Sequence, residues 1–310
     1  MRPPASIVIS TRNRREDVLV AIESSLAQKY EPLEVIVYDD ASTDGTAEAI
    51  QNRFPEVRLI ASNVQQGYIA WRNRGFIDAG GEFIFSLDDD AYFTDPHTVT
   101  KAVGLFERHP KAAAIALPFI EPHGHGATAR PVDAGAPLKC YVGCAHALRR
   151  DIALQLGRYR EFLVHQGEER DLCLRMLEAG WGIIYGDSGA IVHLYSPKRD
   201  QARLSYYGFR NTLLISWLNI PQPYVIPRII IDSAQLFRYR LTLTGVPSRL
   251  RVITAGWLAC IKHWGDRRAV RRETYRRFRS LVGHGPQMFI PGQIPSAPQR
   301  ESFELGRKSP

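Results

Sequence analysis

Three consecutive aspartates, Asp88, Asp89 and Asp90, close a short apolar run at residues 83–87. Like charges this close raise one another's pKa unless a cation relieves them. Ligands made only of oxygen favour a hard divalent ion, Mg²⁺ or Mn²⁺. A second apolar run, residues 33–38, also ends in acids, Asp39 and Asp40. Another acidic pair, Glu168 and Glu169, opens an apolar-periodic stretch that runs to Gly180. A carboxylate there could serve as a general base, or it could simply complement the positive end of a helix. The aspartates have a bland alternative too, as a helix cap with solvated neighbours. His193 stands among apolar residues and by itself reads as a satisfied core histidine. His123 and His125 lie in the Gly-, Pro- and Ala-rich stretch 121–137, which is expected to be a loop of no special role.

The elements that must position these groups follow from the hydrophobic pattern. Apolar, β-branched runs at residues 6–10, 33–38, 57–61, 83–87 and 112–119 predict strands. Helical spacing separates them: Val18, Ile22 and Leu26, then residues 47–54, then 68–79, then a helix opening near Pro96. Such alternation predicts an α/β fold, a mostly parallel open sheet with helices on both faces. The ends of the second and fourth strands then open onto one edge, where open α/β sheets bind ligands. No glycine-rich phosphate cradle follows the first strand, which argues against dinucleotide and P-loop sites.

At 310 residues and 45% hydrophobic content, the chain can bury a large core. Its four cysteines are too few for a disulfide framework and lack zinc-site spacing, so buried free thiols are expected. With no basic-then-apolar leader and no run near eighteen apolar residues, secretion and membrane spans are not expected. The net charge of +8 is unevenly placed. Residues 1–200 carry 22 Lys and Arg against 27 Asp and Glu, whereas residues 201–310 carry 18 against 5. From about residue 201 the pattern predicts a C-terminal helical appendage, with helices near 203–220, 228–243, 248–263 and 266–281. The tail 284–310 has little to bury and is expected to be poorly ordered.

Five segments carry a resemblance: "SIVISTRNR", "VIVYDDASTDGT", "GYIAWRNRGFIDAGGEFIFSLDDDA", "GEERDLCLRMLEAGW" and "YYGFRN". In this order, across about residues 6–211, they resemble glycosyltransferase family 2. That is the nucleotide-sugar-dependent group with the GT-A fold; the resemblance extends to its bacterial polysaccharide and rhamnosyl-type members. The resemblance implies a catalytic domain over 1–200, with a nucleotide-binding half to about 118 and an acceptor half after it. It implies that Asp39 recognises the donor base and that Ser10 and Arg12 line the same pocket. Asp88-Asp89-Asp90 matches the D-x-D motif: Asp88 and Asp89 face the donor, and Asp88 and Asp90 hold Mg²⁺ or Mn²⁺. His193 is a further metal ligand by the same likeness. Glu169 matches the catalytic base, with Glu168 beside it. The family usually has Glu-Asp here, and the longer second acid leaves open which of the two reaches the acceptor.

The implied activity is metal-dependent, inverting transfer of a hexosyl or deoxyhexosyl group from a UDP- or dTDP-type sugar to a hydroxyl. The acceptor would be a glycan or lipid-linked glycan of the cell envelope. Two other readings compete. A sugar-phosphate nucleotidyltransferase also uses an α/β sheet and Mg²⁺, but it opens on a glycine-rich basic loop that is missing here. A non-catalytic nucleic-acid module would use the basic C-terminal region, but no nucleic-acid motif is present and no nucleic-acid partner is expected. Arginines at 268, 272, 276 and 279 share a helical face, and Trp257, Leu258, Ile261 and Trp264 precede them. This pairing suits an anionic membrane surface, and predicts a cytoplasmic enzyme bound peripherally to the inner membrane. A basic face packed on the catalytic domain is the alternative.

Overall fold

The computed structural model describes residues 1–121, 133–194, 200–238 and 245–283. His123, His125 and the tail 284–310 lie outside them. The chain begins β1 (Ala5–Thr11), α1 (Arg15–Leu26), β2 (Leu33–Asp40), α2 (Thr46–Arg53), β3 (Arg58–Ser62), α3 (Tyr68–Asp78) and β4 (Phe83–Asp88). There follow β5 (Ala91–Phe93), α4 (Thr98–Arg108), β6 (Ala112–Ala116), β7 (Phe119–Ile120), β8 (Ala145–Arg149) and α5 (Arg150–Gln155). Then come α6 (Glu168–Glu178), β9 (Gly182–Tyr185), β10 (Ile191–His193), α7 (Gln201–Asn219), α8 (Val225–Arg238), α9 (Val246–Lys262) and α10 (Arg272–Ser280).

The main sheet has seven strands in the order β3-β2-β1-β4-β8-β6-β9. Strands β1, β2, β3 and β4 are mutually parallel, and β6 runs parallel to β9. β8 departs from the expected pattern by lying antiparallel between β4 and β6. Among the described residues, no helix lies between β6 and β8. The strands are apolar on both sides because both faces are covered. Ile7, Ile9, Val35, Val37, Phe83 and Phe85 pack on the face that holds α1, α2 and α4. Val8, Ile36, Tyr38 and Ile84 face the other way, toward α3, α5, α6 and α7. Leu213, Leu214 and Leu218 of α7 lie in that second cluster, so α7 shares its core with the sheet.

A second sheet, β5-β10-β7, is small but positions the site. β10 pairs antiparallel with β5, setting His193 opposite Ala91, and parallel with β7, setting Val192 opposite Ile120. The residues just outside those pairs, Asp90 and Glu121, therefore flank His193.

Close packing of α3 on β1 needs Gly75, where an added Cβ would come within 2.7 Å of Val8 Cγ1. Gly104 in α4 is different, because its nearest neighbour is the movable Arg108 Nη1 at 3.3 Å. Gly75→Ala is expected to destabilise the protein by about 1–2 kcal/mol through overpacking. Gly104→Ala is expected to stabilise it by roughly 0.5–1 kcal/mol through helix propensity. Urea unfolding of both variants checks the pair; equal effects would contradict this account of the α3–β1 contact.

Candidate active site

Three strand ends meet at one edge of the main sheet. In register, Ser10 of β1 lies opposite Asp88 of β4, and Thr11 opposite Asp39 of β2. Asp39 is buried and its Oδ1 accepts from the Ser42 N–H at 2.9 Å. Asp40 fixes the entry to α3, accepting from Gln66 N at 2.6 Å, Gly67 N at 3.0 Å and Trp71 Nε1 at 2.8 Å. The two acids that end β2 thus do different work, one closing the turn and one anchoring a helix. Ser10 is partly buried, whereas Arg12 is exposed on the loop that follows.

At that loop Asn13 takes φ +52, a left-handed conformation that asparagine tolerates well. The chain turns back there, and Arg14 donates from Nη1 to Asp90 Oδ2 at 2.5 Å and to Asp89 Oδ1 at 3.3 Å. Burial pushes Asp89 up to about 7, with Asp90 and Asp88 adding to the rise and Arg14 opposing it. The arginine facing the aspartates is therefore Arg14, which the sequence reading did not single out.

Asp88, Asp90 and His193 can each offer a ligand atom within 4.8 Å of the other two. His193 Nε2 lies 3.2 Å from Asp90 Oδ1 and 3.9 Å from Asp88 Oδ2. On its far side, Nδ1 donates to Glu121 Oε1 at 2.9 Å, which fixes the ring and aims Nε2 at the aspartates. Burial opposes charge on this ring, but hydrogen bonds to Asp90, Cys144 and Glu121 outweigh it and raise the pKa. Two carboxylates and one imidazole, braced by a further carboxylate, fit a divalent cation of the Mn²⁺ or Mg²⁺ kind. Carboxylate outnumbering imidazole, with no thiolate ligand, speaks against a structural zinc site.

The second acidic group comes from α6. Its start is fixed by a turn with three residues at positive φ, Val164, Gln166 and Gly167. Asn211, wholly buried on α7, donates from Nδ2 to the carbonyls of Leu163, His165 and Gln166 at 2.8, 2.9 and 2.7 Å. The Asn of the "YYGFRN" segment therefore braces the turn that presents the two glutamates. Glu168 is 0% exposed, whereas the side chain of Glu169 keeps 18%. Burial, and then the charge of Glu168, pushes the Glu169 carboxyl well above the usual carboxylate range, with Arg72 pulling the other way.

Arg72, on α3, joins the two acidic groups. It donates from Nη2 to Asp88 Oδ1 at 2.6 Å and to Gly143 O at 3.0 Å, and from Nη1 to Glu168 Oε1 at 3.1 Å. Glu169 Oε1 lies 3.8 Å from the same Nη1. The guanidinium is buried, and the Tyr68 ring covers it at 4.8 Å. Beneath it, burial and then the charge of Arg72 push His146 down to about 3, so this imidazole stays neutral. His146 donates from Nδ1 to Val142 O at 3.1 Å, so Nε2 accepts from the Tyr159 hydroxyl at 3.1 Å. That hydroxyl in turn accepts from Tyr141 at 2.9 Å. Nothing in the sequence marked Arg72, since its role depends on partners 16 and 96 residues away. Its place one helical turn after Tyr68, within the third family segment, was the only local signal.

Among known proteins, the family model described as Glycosyl transferase family 2 matches residues 6–153. An Escherichia coli UDP-Glc:alpha-D-GlcNAc-diphosphoundecaprenol beta-1,3-glucosyltransferase is 36% identical over 90 residues, 28% of this chain and 36% of its own. The matched stretch spans about a third of the length of such relatives. In three dimensions the chain is similar to Staphylococcus aureus TarS 1–349 in complex with UDP. The TM-score is 0.60 at 16% identity, covering 82% of this chain and 80% of that one. It is also similar to a Pyrobaculum calidifontis mannosyltransferase in complex with GDP-Man and Mn²⁺. There the TM-score is 0.55 at 18% identity, covering 90% and 84%. At such identities the likeness establishes the fold, which is the GT-A arrangement.

Removing Arg72 would leave Glu168 charged, buried and without its cationic partner. Arg72→Met is expected to destabilise the protein by about 3–5 kcal/mol, the usual cost of breaking a buried pair from one side. Adding Glu168→Gln should recover part of that loss, so the two changes are non-additive. Urea unfolding of both single variants and the double variant measures the coupling; strict additivity would contradict it.

Proposed function

The chain belongs, through residues 6–153, to glycosyl transferase family 2, and on that premise we propose that it transfers a sugar from a nucleoside diphosphate to an acceptor hydroxyl, with inversion. The observation that carries this reading is the single buried guanidinium of Arg72, which joins Asp88 of a cation-ready triad to the Glu168–Glu169 pair. Donor activation and acceptor activation then share one cleft. Asp39, at the end of β2, is assigned to the donor base, with Ser10 and Arg12 beside it. Asp89 is assigned to the donor's ribose side.

Asp88, Asp90 and His193 would hold the divalent ion, which supplies Lewis-acid stabilisation of the diphosphate as it departs. The imidazole ligand favours Mn²⁺ over Mg²⁺. Glu169 is the base: it takes the proton of the acceptor hydroxyl as that oxygen bonds to the anomeric carbon and the diphosphate oxygen leaves with its electron pair. Its partial exposure and raised pKa suit that role, whereas Glu168 is sealed against Arg72 and orients the guanidinium. Arg14 offsets the charge of Asp89 and Asp90. The relatives that the chain matches include an enzyme named for UDP-Glc and a diphosphoundecaprenol acceptor. We therefore assign the donor to the UDP type, ahead of dTDP, and the acceptor to lipid-linked glycans of the cell envelope. With such an acceptor we assign the enzyme to the cytoplasmic face of a membrane. A nucleotidyltransferase is disfavoured because the site offers a base rather than a second phosphate cradle.

Glu169→Gln is expected to lower turnover by roughly 10²–10⁴-fold with donor affinity nearly unchanged, and Glu168→Gln to lower it far less. A general base must be deprotonated to work. The raised pKa of Glu169 therefore moves the acid limb of the pH–rate profile above about 4.5, the value of an ordinary glutamate. Steady-state kinetics of the three proteins across pH read both effects, and reversed losses would make Glu168 the base. Asp90→Asn keeps shape and loses charge, so transfer should disappear while the fold persists. Undiminished turnover by that variant, or by the parent in excess EDTA, would sink the metal assignment.

A further inference from the structure

The outer faces of α8 and α9 stand apart from the rest of the surface. Among the described residues, nine of the thirteen exposed large hydrophobic side chains fall between positions 226 and 264. Ile230 is 56% exposed, Leu258 59%, Ile261 65% and Trp264 67%, with Ile226 and Leu250 beside them. These are not core positions left uncovered. The opposite face of α9 is already satisfied, since Val252, Gly256 and Cys260 are buried against α7. Gly256 lets the helices approach so closely that an added Cβ would meet Leu213 Cδ1 at 2.6 Å. On α8 the same division holds, with Val225, Ile229 and Leu236 inside and Ile226, Ile230 and Ile231 outside. Each helix thus carries two apolar faces, and the core consumes only one of them. Clustered exposed apolar surface of this kind marks an interaction site.

The charge beside this face is positive. α10 docks at the start of α8, where Arg272 Nε donates to Gln222 O at 2.8 Å. Arg276, Arg272 and Arg279 all bear electrostatically on the Tyr224 hydroxyl, Arg276 most strongly. Tyr224 is two residues from Ile226. Among the described residues, none of Arg272, Arg276, Arg277 and Arg279 meets a carboxylate within ion-pair distance. Trp264 packs at a tilt against Trp217 at 4.5 Å, and Arg267 covers Trp217 at 4.6 Å, so aromatic and cationic groups also alternate at the end of α9. A second copy of the chain would bring one strongly basic region against another, which disfavours self-association through this face. No described helix is long and apolar enough to cross a bilayer. Aliphatic side chains in the middle, tryptophan at the margin and unpaired arginine beside it match a helix pair lying in the plane of a lipid interface.

We propose that the outer face of α8 and α9, with the arginines of α10, docks the protein on an anionic lipid bilayer. The proposal stands on this surface alone, so its failure would leave the catalytic reading untouched. If both hold, docking holds the cleft near acceptors carried in the same bilayer.

Co-sedimentation of the full chain with vesicles tests it, comparing phosphatidylcholine alone with phosphatidylcholine containing phosphatidylglycerol. The protein should pellet with the anionic vesicles at low salt and be released at high salt. Each arginine near such a surface is worth roughly fivefold in partition, so Arg276→Gln with Arg279→Gln should weaken binding about 25-fold. Leu258→Glu with Ile261→Glu, at exposed positions on a different helix, should weaken it on the order of a hundredfold. Circular dichroism melting should show both variants folded as the parent is. Equal recovery of the parent in the supernatant with and without anionic vesicles would overturn the proposal. So would a vesicle-independent dimer that is lost in Leu258→Glu with Ile261→Glu, which would assign the face to a second copy.

Discussion

A buried cation held between acids from two elements is the constraint on which the site depends. Asp88, partly exposed, and Glu168, wholly buried, arrive from β4 and α6, far apart in the chain. Arg72 meets both, and its planar fork suits two carboxylates at once, as a lysine would not. Much of the surrounding fold serves to hold that guanidinium in place. Asp40 anchors the start of α3, Gly75 seats the helix on β1, and Tyr68 covers the charge. Neutral His146 lies beneath without adding a second positive charge.

The small sheet does for the candidate cation site what Arg72 does for the acids. Three short strands would be marginal alone, yet they share the core of the main sheet and end at Asp90, Glu121 and His193. Because strand register is fixed by burial, those three side chains come together without a dedicated loop. The consequence is functional: the imidazole is aimed by Glu121 before any ligand arrives, so little ordering remains to be done on binding.

The parts of this design that follow local periodicity were legible in the sequence. The runs ending at Asp39 and Asp88 announced buried strands, and with them a shared sheet edge. The acidic pair at residues 168–169 announced a helix start. What was not legible depends on long-range geometry. Arg72 looks like any helical arginine until Asp88 and Glu168 are placed around it. Arg12 and Arg14 are equivalent in the sequence, and the left-handed turn at Asn13 separates them. Asn211 reads as part of a helix, and its three carbonyl partners lie 45 to 48 residues away. The antiparallel place of β8 between β4 and β6 is likewise a long-range pairing that local periodicity does not mark.

The edge of the sheet is thus proposed as a cation-dependent site for a nucleoside diphosphate. The most direct measurement is the melting temperature of the protein with a panel of nucleoside diphosphates, each with and without Mn²⁺. A ligand that binds only the folded state raises that temperature, by about 2.7 kcal/mol of stability at a hundred times its Kd. Stabilisation by UDP should need Mn²⁺ and be absent in Asp90→Asn. Stabilisation of equal size without the metal, or retained in Asp90→Asn, would contradict it.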